Sequence, residues 1–226
     1  MDRTGLPSRD SYLQQWSELH GGYDPRANPM VRWWLSVTYD VARLPARARL
    51  SPDLLTFLAV LVSIGAAAVA AAGGRWLMLA AGAVVVSGLL DSLDGAVAAL
   101  TGRSTRWGFV LDSTADRVSD LAYVAALWIA GAPPLICVAG GALMFLQEYV
   151  RARAGAAGMS EVGGLTVWER PTRVIVTAAF LLCAGLFLDE LWAELGASAW
   201  VGLGAVGLVQ LLLVVRRRFR QSIPKE

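Results

Sequence analysis

Histidine, cysteine and lysine are nearly missing from this chain of 226 residues. Since His20 is the single histidine, neither a histidine-based metal site nor a Ser-His-Asp triad is expected. Cys137 and Cys183 both lie in apolar segments, which favours small buried side chains over a disulfide or a reactive thiol. The sequence also lacks a Walker-type glycine loop, so a P-loop mechanism with a nucleoside triphosphate is not expected.

Charge is scarce too, because charged residues make up 17% of the chain and hydrophobic residues 56%. This composition predicts an all-α integral membrane protein. Apolar segments long enough to cross about 30 Å of hydrocarbon occur roughly at residues 53–72, 75–100, 107–131, 133–155, 171–188 and 196–215. Prolines at Pro52, Pro133, Pro134 and Pro171 mark helix starts. We therefore expect six transmembrane helices.

The segment before these spans is polar. Residues 1–26 are predicted to form a mobile or loosely packed leader, and residues 30–44 an amphipathic helix at the membrane surface. A first transmembrane helix is less favoured there, because the run is short and carries three charges. The predicted organisation is a leader with an interfacial helix at 1–50, a six-helix membrane domain at 51–216 and a basic tail at 217–226.

Arginine is concentrated on one predicted side of the membrane. Seven arginines lie in the first fifty residues, and others follow the second span, the fourth span and the last span. The opposite side has Arg75 alone and the acidic Asp189, Glu190 and Glu194. The positive-inside rule therefore predicts a multi-pass plasma-membrane protein with both termini in the cytoplasm.

Four aspartates interrupt the second and third apolar segments. Asp91 and Asp94 are three residues apart and Asp112 and Asp116 four, so each pair lies on one face of a helix. Carboxylates within a membrane are costly, which favours a functional role. Two such pairs on antiparallel neighbours would form an oxygen-rich cage for Mg²⁺, Mn²⁺ or Ca²⁺ near the cytoplasmic interface.

Further residues are candidates for the same cavity. Asp120 and Glu148 extend the acidic surface, while Gly95 and Gly108, each beside an aspartate pair, favour ligand access over simple helix packing. Divalent ions in this position indicate phosphoryl chemistry, in which one aspartate accepts a proton.

The pattern DxxDGxxA, followed after nine residues by GxxxDxxxD, resembles the signature of CDP-alcohol phosphotransferases, which are six-helix integral membrane enzymes. That signature usually has arginine directly after the alanine, where this chain has Ala99, so Arg103 or Arg106 would have to substitute. The Pro-Asp-Leu-Leu-Thr stretch ending at Thr56 also looks like the family's Pro-Asn-x-x-Thr segment, with Asp53 in place of asparagine.

The resemblance implies that Asp91, Asp94 and Asp112 hold two divalent ions on the pyrophosphate of CDP-diacylglycerol. It implies that Asp116 shares in metal binding and acts as the base for the acceptor hydroxyl, which attacks the phosphorus bearing the lipid and displaces CMP. The implied donor-binding residues are Thr56, Gly95, Ala98, Gly108, Arg103 and Arg106. A homodimer is implied by the same analogy, whereas a nucleic-acid partner is not expected.

A second resemblance concerns the acceptor. The sequence from Gln147 to Arg173 looks like the segment between the fourth and fifth helices of actinobacterial phosphatidylinositol-phosphate synthases, which implies an acceptor-phosphate pocket formed by Arg151, Arg153, Arg170 and Arg173. These arginines also fit a purely topological role against anionic lipid headgroups. Glu148 stands where those synthases tend to have a small polar residue. Inositol phosphate and glycerol 3-phosphate both remain open as acceptors.

Two other classes are possible for intramembrane carboxylates. A divalent-cation transporter would need polar residues continuing to the far side, and the outer halves of these spans are Ala, Val, Leu and Gly. An inactive membrane scaffold would agree with Ala99. The enzyme interpretation is favoured over both.

Overall fold

The computed structural model describes residues 6–19, 24–159 and 166–221. Within these ranges the chain forms eight α-helices and one 3-10 helix at Pro25–Ala27, and no strand. The helices are α1 Arg9–Leu19, α2 Pro29–Arg47, α3 Pro52–Ala70, α4 Trp76–Thr101, α5 Arg106–Ile129, α6 Pro134–Ala156, α7 Arg170–Phe187 and α8 Leu191–Gln221. His20, residues 160–165 of the Gln147–Arg173 segment and residues 222–226 of the predicted tail lie outside the described residues.

The prediction of an all-α integral membrane protein is confirmed. Five of the described helices, α3, α4, α6, α7 and α8, are long and apolar enough to cross a membrane. α5 has 24 residues, which is sufficient length, but five charged residues lie in it before the apolar stretch at 121–129. The sixth span therefore stays a prediction.

The chain divides into two compact units, each with its own core. Unit 1 comprises Met1–Val62 and Val86–Ser119, and unit 2 comprises Ser63–Val85 and Asp120–Glu226. The core of unit 1 joins residues of α1, α2 and α3 to the C-terminal half of α4, and includes Tyr12, Leu35, Leu93 and Val97.

The leader is not loosely packed in its described part, and that prediction is wrong. Tyr12 is 3% exposed in the core of unit 1, and burial raises its pKa to about 12. Nη2 of Arg9 donates to both carboxylate oxygens of Asp40 of α2, at 2.8 and 2.7 Å. The Tyr39 hydroxyl donates to the carbonyl of Pro7 at 2.9 Å. α1 is therefore docked on α2 by both apolar and polar contacts.

The bounds of α2, Pro29–Arg47, are close to those of the predicted interfacial helix, residues 30–44. Its buried face carries Leu35 and Tyr39, whereas Trp33, Val41 and Leu44 form an exposed apolar stripe at helical spacing. Such a stripe is typical of a helix lying in a membrane interface.

In unit 2, α6 and α7 both pack on α8, and small residues allow the close approach. A Cβ added to Gly140 would lie 3.1 Å from Cβ of Trp200. Gly185 of α7 makes a similar close approach to α4, because a Cβ there would lie 2.8 Å from the backbone nitrogen of Met78. These contacts support a core that contains Tyr123 and Leu181.

Candidate active site

Three aspartates of unit 1 converge on one point. Asp91 of α4 and Asp112 and Asp116 of α5 each present one carboxylate oxygen, and these oxygens all lie within 4.8 Å of one another. All three side chains are half-buried. The four-residue spacing of Asp112 and Asp116 puts both on one helical face, as predicted from the sequence.

Asp94 is held differently from the other three. It is 5% exposed, and its Oδ2 accepts a hydrogen bond from Thr56 Oγ1 of α3 at 2.5 Å. Its charge also interacts with those of Asp112 and Asp116, so it belongs to the same electrostatic site. Thr56, predicted to bind the donor, therefore orients a carboxylate. Its contact with CDP stays a prediction.

The carboxylate cluster fits a divalent cation. Mg²⁺ binds oxygen ligands at about 2.1 Å, so two ligands on opposite sides of one ion are about 4.2 Å apart. Three oxygens on one ion also include adjacent pairs, about 3.0 Å apart, so oxygens within 4.8 Å of one another have to move closer to bind it together. The hard carboxylate donors also suit Mg²⁺ or Mn²⁺ better than soft metals.

Arg117 is a component that the sequence reasoning missed. Its Nη2 lies 3.4 Å from Oδ2 of Asp116, and the two side chains are 16% and 18% exposed. An arginine directly after the last aspartate of the motif was the available signal. This guanidinium places a fixed positive charge beside the carboxylate that is predicted to act as base.

Gly95 and Gly108 have different surroundings. A Cβ on Gly95 would meet no described atom within 4 Å, so packing among the described residues does not require glycine there. A Cβ on Gly108 would lie 3.1 Å from Thr105 Oγ1, which accepts a hydrogen bond from the Gly108 amide. Open space at Gly95 agrees with the ligand access expected for it.

The other residues that are predicted to bind the donor lie near the α4–α5 turn. Ala98 is half-buried, and Arg103 and Arg106 are exposed. Ala99 is 8% exposed and belongs to the apolar core that α1 and α2 complete. The position that usually carries arginine in the resembling family is thus an apolar packing position here.

Unit 2 contains an arginine–carboxylate network, formed by Asp120, Glu148, Arg151, Glu169 and Arg173. Nη1 of Arg173 is 2.5 Å from Oδ2 of Asp120, and its Nη2 is 2.9 Å from Oε1 of Glu148. Arg151 lies 3.7 Å from Glu148 through Nε and 3.0 Å from Glu169 through Nη2. The charges alternate along the network, from carboxylate to guanidinium and back.

The four predicted acceptor arginines are therefore not equivalent. Arg173 is 2% exposed and lies between two carboxylates. Arg151 and Arg170 are half-buried, and Arg153 is exposed. Arg151 and Arg153 point in different directions on α6, as their two-residue spacing predicts. Asp120 and Glu148, which the sequence placed near the site, are partners of Arg173.

A buried tryptophan holds the segment before α7 in place, and we call this contact the Trp168 anchor. Trp168 is fully buried and contacts Trp200 edge to face, with ring centroids 5.1 Å apart. Gly204 and Gly207 of α8 make room for it, because a Cβ on Gly207 would lie 2.6 Å from Cβ of Trp168. Gln147 of α6 donates to the Trp168 carbonyl at 3.1 Å. Glu169, a member of the network, directly follows Trp168 in the sequence.

Glu169 is fixed by the same segment. Its Oε1 accepts hydrogen bonds from the Thr166 amide at 2.9 Å and from Thr166 Oγ1 at 2.8 Å, besides pairing with Arg151. Three donors on one carboxylate hold it firmly.

Comparison with known proteins agrees with the motif. A family model described as CDP-alcohol phosphatidyltransferase matches residues 49–214. An archaetidylinositol phosphate synthase of Aeropyrum pernix is 38% identical over 163 residues, covering 67% of this chain and 84% of that protein. A phosphatidylinositol phosphate synthase of Mycolicibacterium smegmatis is 37% identical over 193 residues, covering 79% of this chain and 82% of that protein.

Solved structures are similar as well. The phosphatidylinositol phosphate synthase of Mycobacterium tuberculosis with CDP-DAG bound has a TM-score of 0.67 and 29% identity, covering 80% of this chain and 94% of that chain. The same enzyme in complex with manganese and citrate also has a TM-score of 0.67 and 29% identity, covering 79% and 88%. The motif, the carboxylate cluster and these matches lead to one conclusion: the chain belongs to the CDP-alcohol phosphatidyltransferase family and is a membrane-embedded transferase.

Proposed function

We propose that this protein transfers the phosphatidyl group of CDP-diacylglycerol to a hydroxyl of inositol phosphate and releases CMP. The observation that carries the proposal is the convergence of Asp91, Asp112 and Asp116 within 4.8 Å, on the family motif. The relatives support inositol phosphate as the acceptor, because they are phosphatidylinositol phosphate or archaetidylinositol phosphate synthases.

In the proposed reaction, an acceptor hydroxyl oxygen attacks the phosphorus that bears diacylglycerol. The bond between that phosphorus and the pyrophosphate bridging oxygen breaks, and CMP leaves with the electron pair. Asp116 takes the hydroxyl proton, and the positive charge of Arg117 at 3.4 Å keeps the carboxylate oriented. Asp94, fixed by Thr56, adds negative charge that favours cation binding.

The metal site is proposed to hold two ions, Mg²⁺ or Mn²⁺, on Asp91, Asp94, Asp112 and Asp116. Bound there, divalent ions neutralise the pyrophosphate and polarise its phosphoryl oxygens. The manganese complex of the M. tuberculosis enzyme supports this choice.

The arginines of unit 2 are proposed to bind the phosphate of the acceptor. Guanidinium groups match phosphate geometry through paired hydrogen bonds, which supports Arg151, Arg170 and Arg173 in this role, with Arg153 at the exposed margin. Glycerol 3-phosphate offers the same charge and stays the alternative acceptor. Gly95, Gly108, Ala98, Arg103 and Arg106 are proposed for the donor.

The topology is proposed from charge. We place both termini and the carboxylate cluster on the cytoplasmic side, because the arginine-rich segments of the sequence fall there under the positive-inside rule. The organisation into residues 1–50, 51–216 and 217–226 is retained as a functional division, although α8 continues through the arginines to Gln221.

A homodimer is proposed by family resemblance, and light scattering in detergent tests it.

The test is CMP release by purified protein with CDP-diacylglycerol and Mg²⁺ or Mn²⁺, offered inositol phosphate, inositol or glycerol 3-phosphate. We expect turnover with inositol phosphate. Asp116→Asn should lower kcat by about 10²–10⁴-fold while metal-dependent binding of CDP-diacylglycerol persists, since loss of a general base removes that much rate. Asp10→Asn, a change at an exposed salt bridge on α1, is the matched control. Near-normal turnover of Asp116→Asn would exclude it as the base.

A further inference from the structure

The arginines proposed to bind phosphate already have carboxylate partners. Arg173 contacts Asp120 and Glu148, and Arg151 contacts Glu148 and Glu169. In these pairs two guanidiniums face three carboxylates, and each guanidinium has two carboxylate partners. An incoming phosphate therefore has to compete with a carboxylate that is part of the protein.

Glu148 is the carboxylate best placed to compete. It is the member of the network that contacts both guanidiniums, at 2.9 Å from Arg173 and 3.7 Å from Arg151. Its side chain is 23% exposed, so solvent or a ligand reaches part of it. Asp120 is fully buried, and Glu169 is held by both the amide and the hydroxyl of Thr166.

We infer that Glu148 is a specificity-determining residue, which occupies the guanidiniums of Arg151 and Arg173 in place of the acceptor phosphate and weakens binding of phosphorylated ligands. The inference rests on the proposed function. Its physical basis is that a carboxylate and a phosphate use the same donors of a guanidinium fork. Because the lipid product retains the phosphate of the acceptor, the competition weakens product binding too.

Glu148→Gln tests this directly. The glutamine amide oxygen still accepts a hydrogen bond from Arg173, but the negative charge is gone, so the charge–charge attraction to both guanidiniums is lost. We expect the KM for inositol phosphate to fall about tenfold and the KM for inositol to stay within about twofold. The inhibition constant of inorganic phosphate should fall in parallel. Glu194→Gln, an exposed carboxylate on α8, is the control for the change in net charge.

The outcomes separate the two proposals. If the wild-type enzyme releases no CMP with any acceptor, the proposed function fails. If wild-type turns over but the KM for inositol phosphate is unchanged or rises in Glu148→Gln, the inference about Glu148 is wrong and the proposed function stands. Equal changes in the KM values for inositol and inositol phosphate also overturn the inference, because a purely structural role of Glu148 would change both values. Glu148→Ser is the second variant, and loss of the thermal transition in both would show that Glu148 is a structural counter-ion.

Discussion

Replacing Arg173 with methionine should strongly destabilise unit 2. Arg173 is 2% exposed, and its partner Asp120 is fully buried. Methionine fills similar space but removes the positive charge, so Asp120 is left as a buried carboxylate without this arginine. Glu148 loses the same partner, but it is partly exposed and also lies beside Arg151.

The expected cost is about 3–5 kcal/mol, which is typical when one member of a buried ion pair is removed. For a chain of this size, each kcal/mol lowers Tm by roughly 2–4 °C, so Tm should fall by about 10 °C. Thermal unfolding in one fixed detergent, followed by tryptophan fluorescence, measures the change. Trp200 is a suitable reporter, because its Nε1 donates to Thr177 Oγ1, which in turn donates to the carbonyl of Arg173.

The double variant Asp120→Asn with Arg173→Met is the control. It removes the buried charge together with its partner, so it should recover most of the lost free energy of unfolding. The reasoning is refuted if Arg173→Met alone changes stability by less than about 0.5 kcal/mol, the usual range for surface substitutions. It is also refuted if the double variant is no more stable than the single one.

Two further substitutions probe the site in unit 1. Thr56→Val removes the hydroxyl that donates to Asp94, and the Mg²⁺ concentration for half-maximal turnover should rise about 10–100-fold, the usual effect of losing a group that orients a metal ligand. Gly95→Leu should leave Tm nearly unchanged, because a Cβ there meets no described atom within 4 Å. It should raise the KM for CDP-diacylglycerol at least tenfold, because the side chain fills the space proposed for the donor.

Matched variants define what would contradict these expectations. Thr114→Val removes an exposed hydroxyl on α5 that donates to the carbonyl of Val110 in its own helix. An equal Mg²⁺ requirement in Thr56→Val and Thr114→Val would show that Thr56 does not orient Asp94. Gly82→Leu changes an exposed glycine of the same helix as Gly95, again without a described atom within 4 Å of the new Cβ. Equal donor KM values in the two glycine variants would remove Gly95 from the donor site.

Helix positions were largely predictable from the sequence, because local signals determine them. α3 begins at Pro52 and α6 at Pro134, as the prolines indicated. The carboxylate cluster was predictable for a related reason. Spacings of three and four residues place the aspartates of each pair on one helical face. A short turn between two helices makes them antiparallel neighbours, so few other arrangements of Asp91 and Asp112 were possible.

Long-range partners were not predictable in the same way. Arg173 and Asp120 are 53 residues apart, and no periodicity links them. The sequence reasoning placed Asp120 with the aspartates because it continues their helical spacing, whereas the structure pairs it with an arginine. The docking of α1 was missed because its sequence is polar overall, and among the side chains of α1 that the structure describes only Tyr12 and Leu13 are deeply buried.

The Trp168 anchor has a consequence for the acceptor site proposed above. Because Trp168 packs against Gly204 and Gly207, the backbone that carries Glu169 is ordered when the protein folds. The conformational entropy of this segment is then lost before any ligand arrives, so binding does not have to supply it. A side chain as small as alanine at Gly207, far along the chain from every arginine of the network, would displace Trp168. The proposed acceptor surface would then have to be ordered anew in each catalytic cycle.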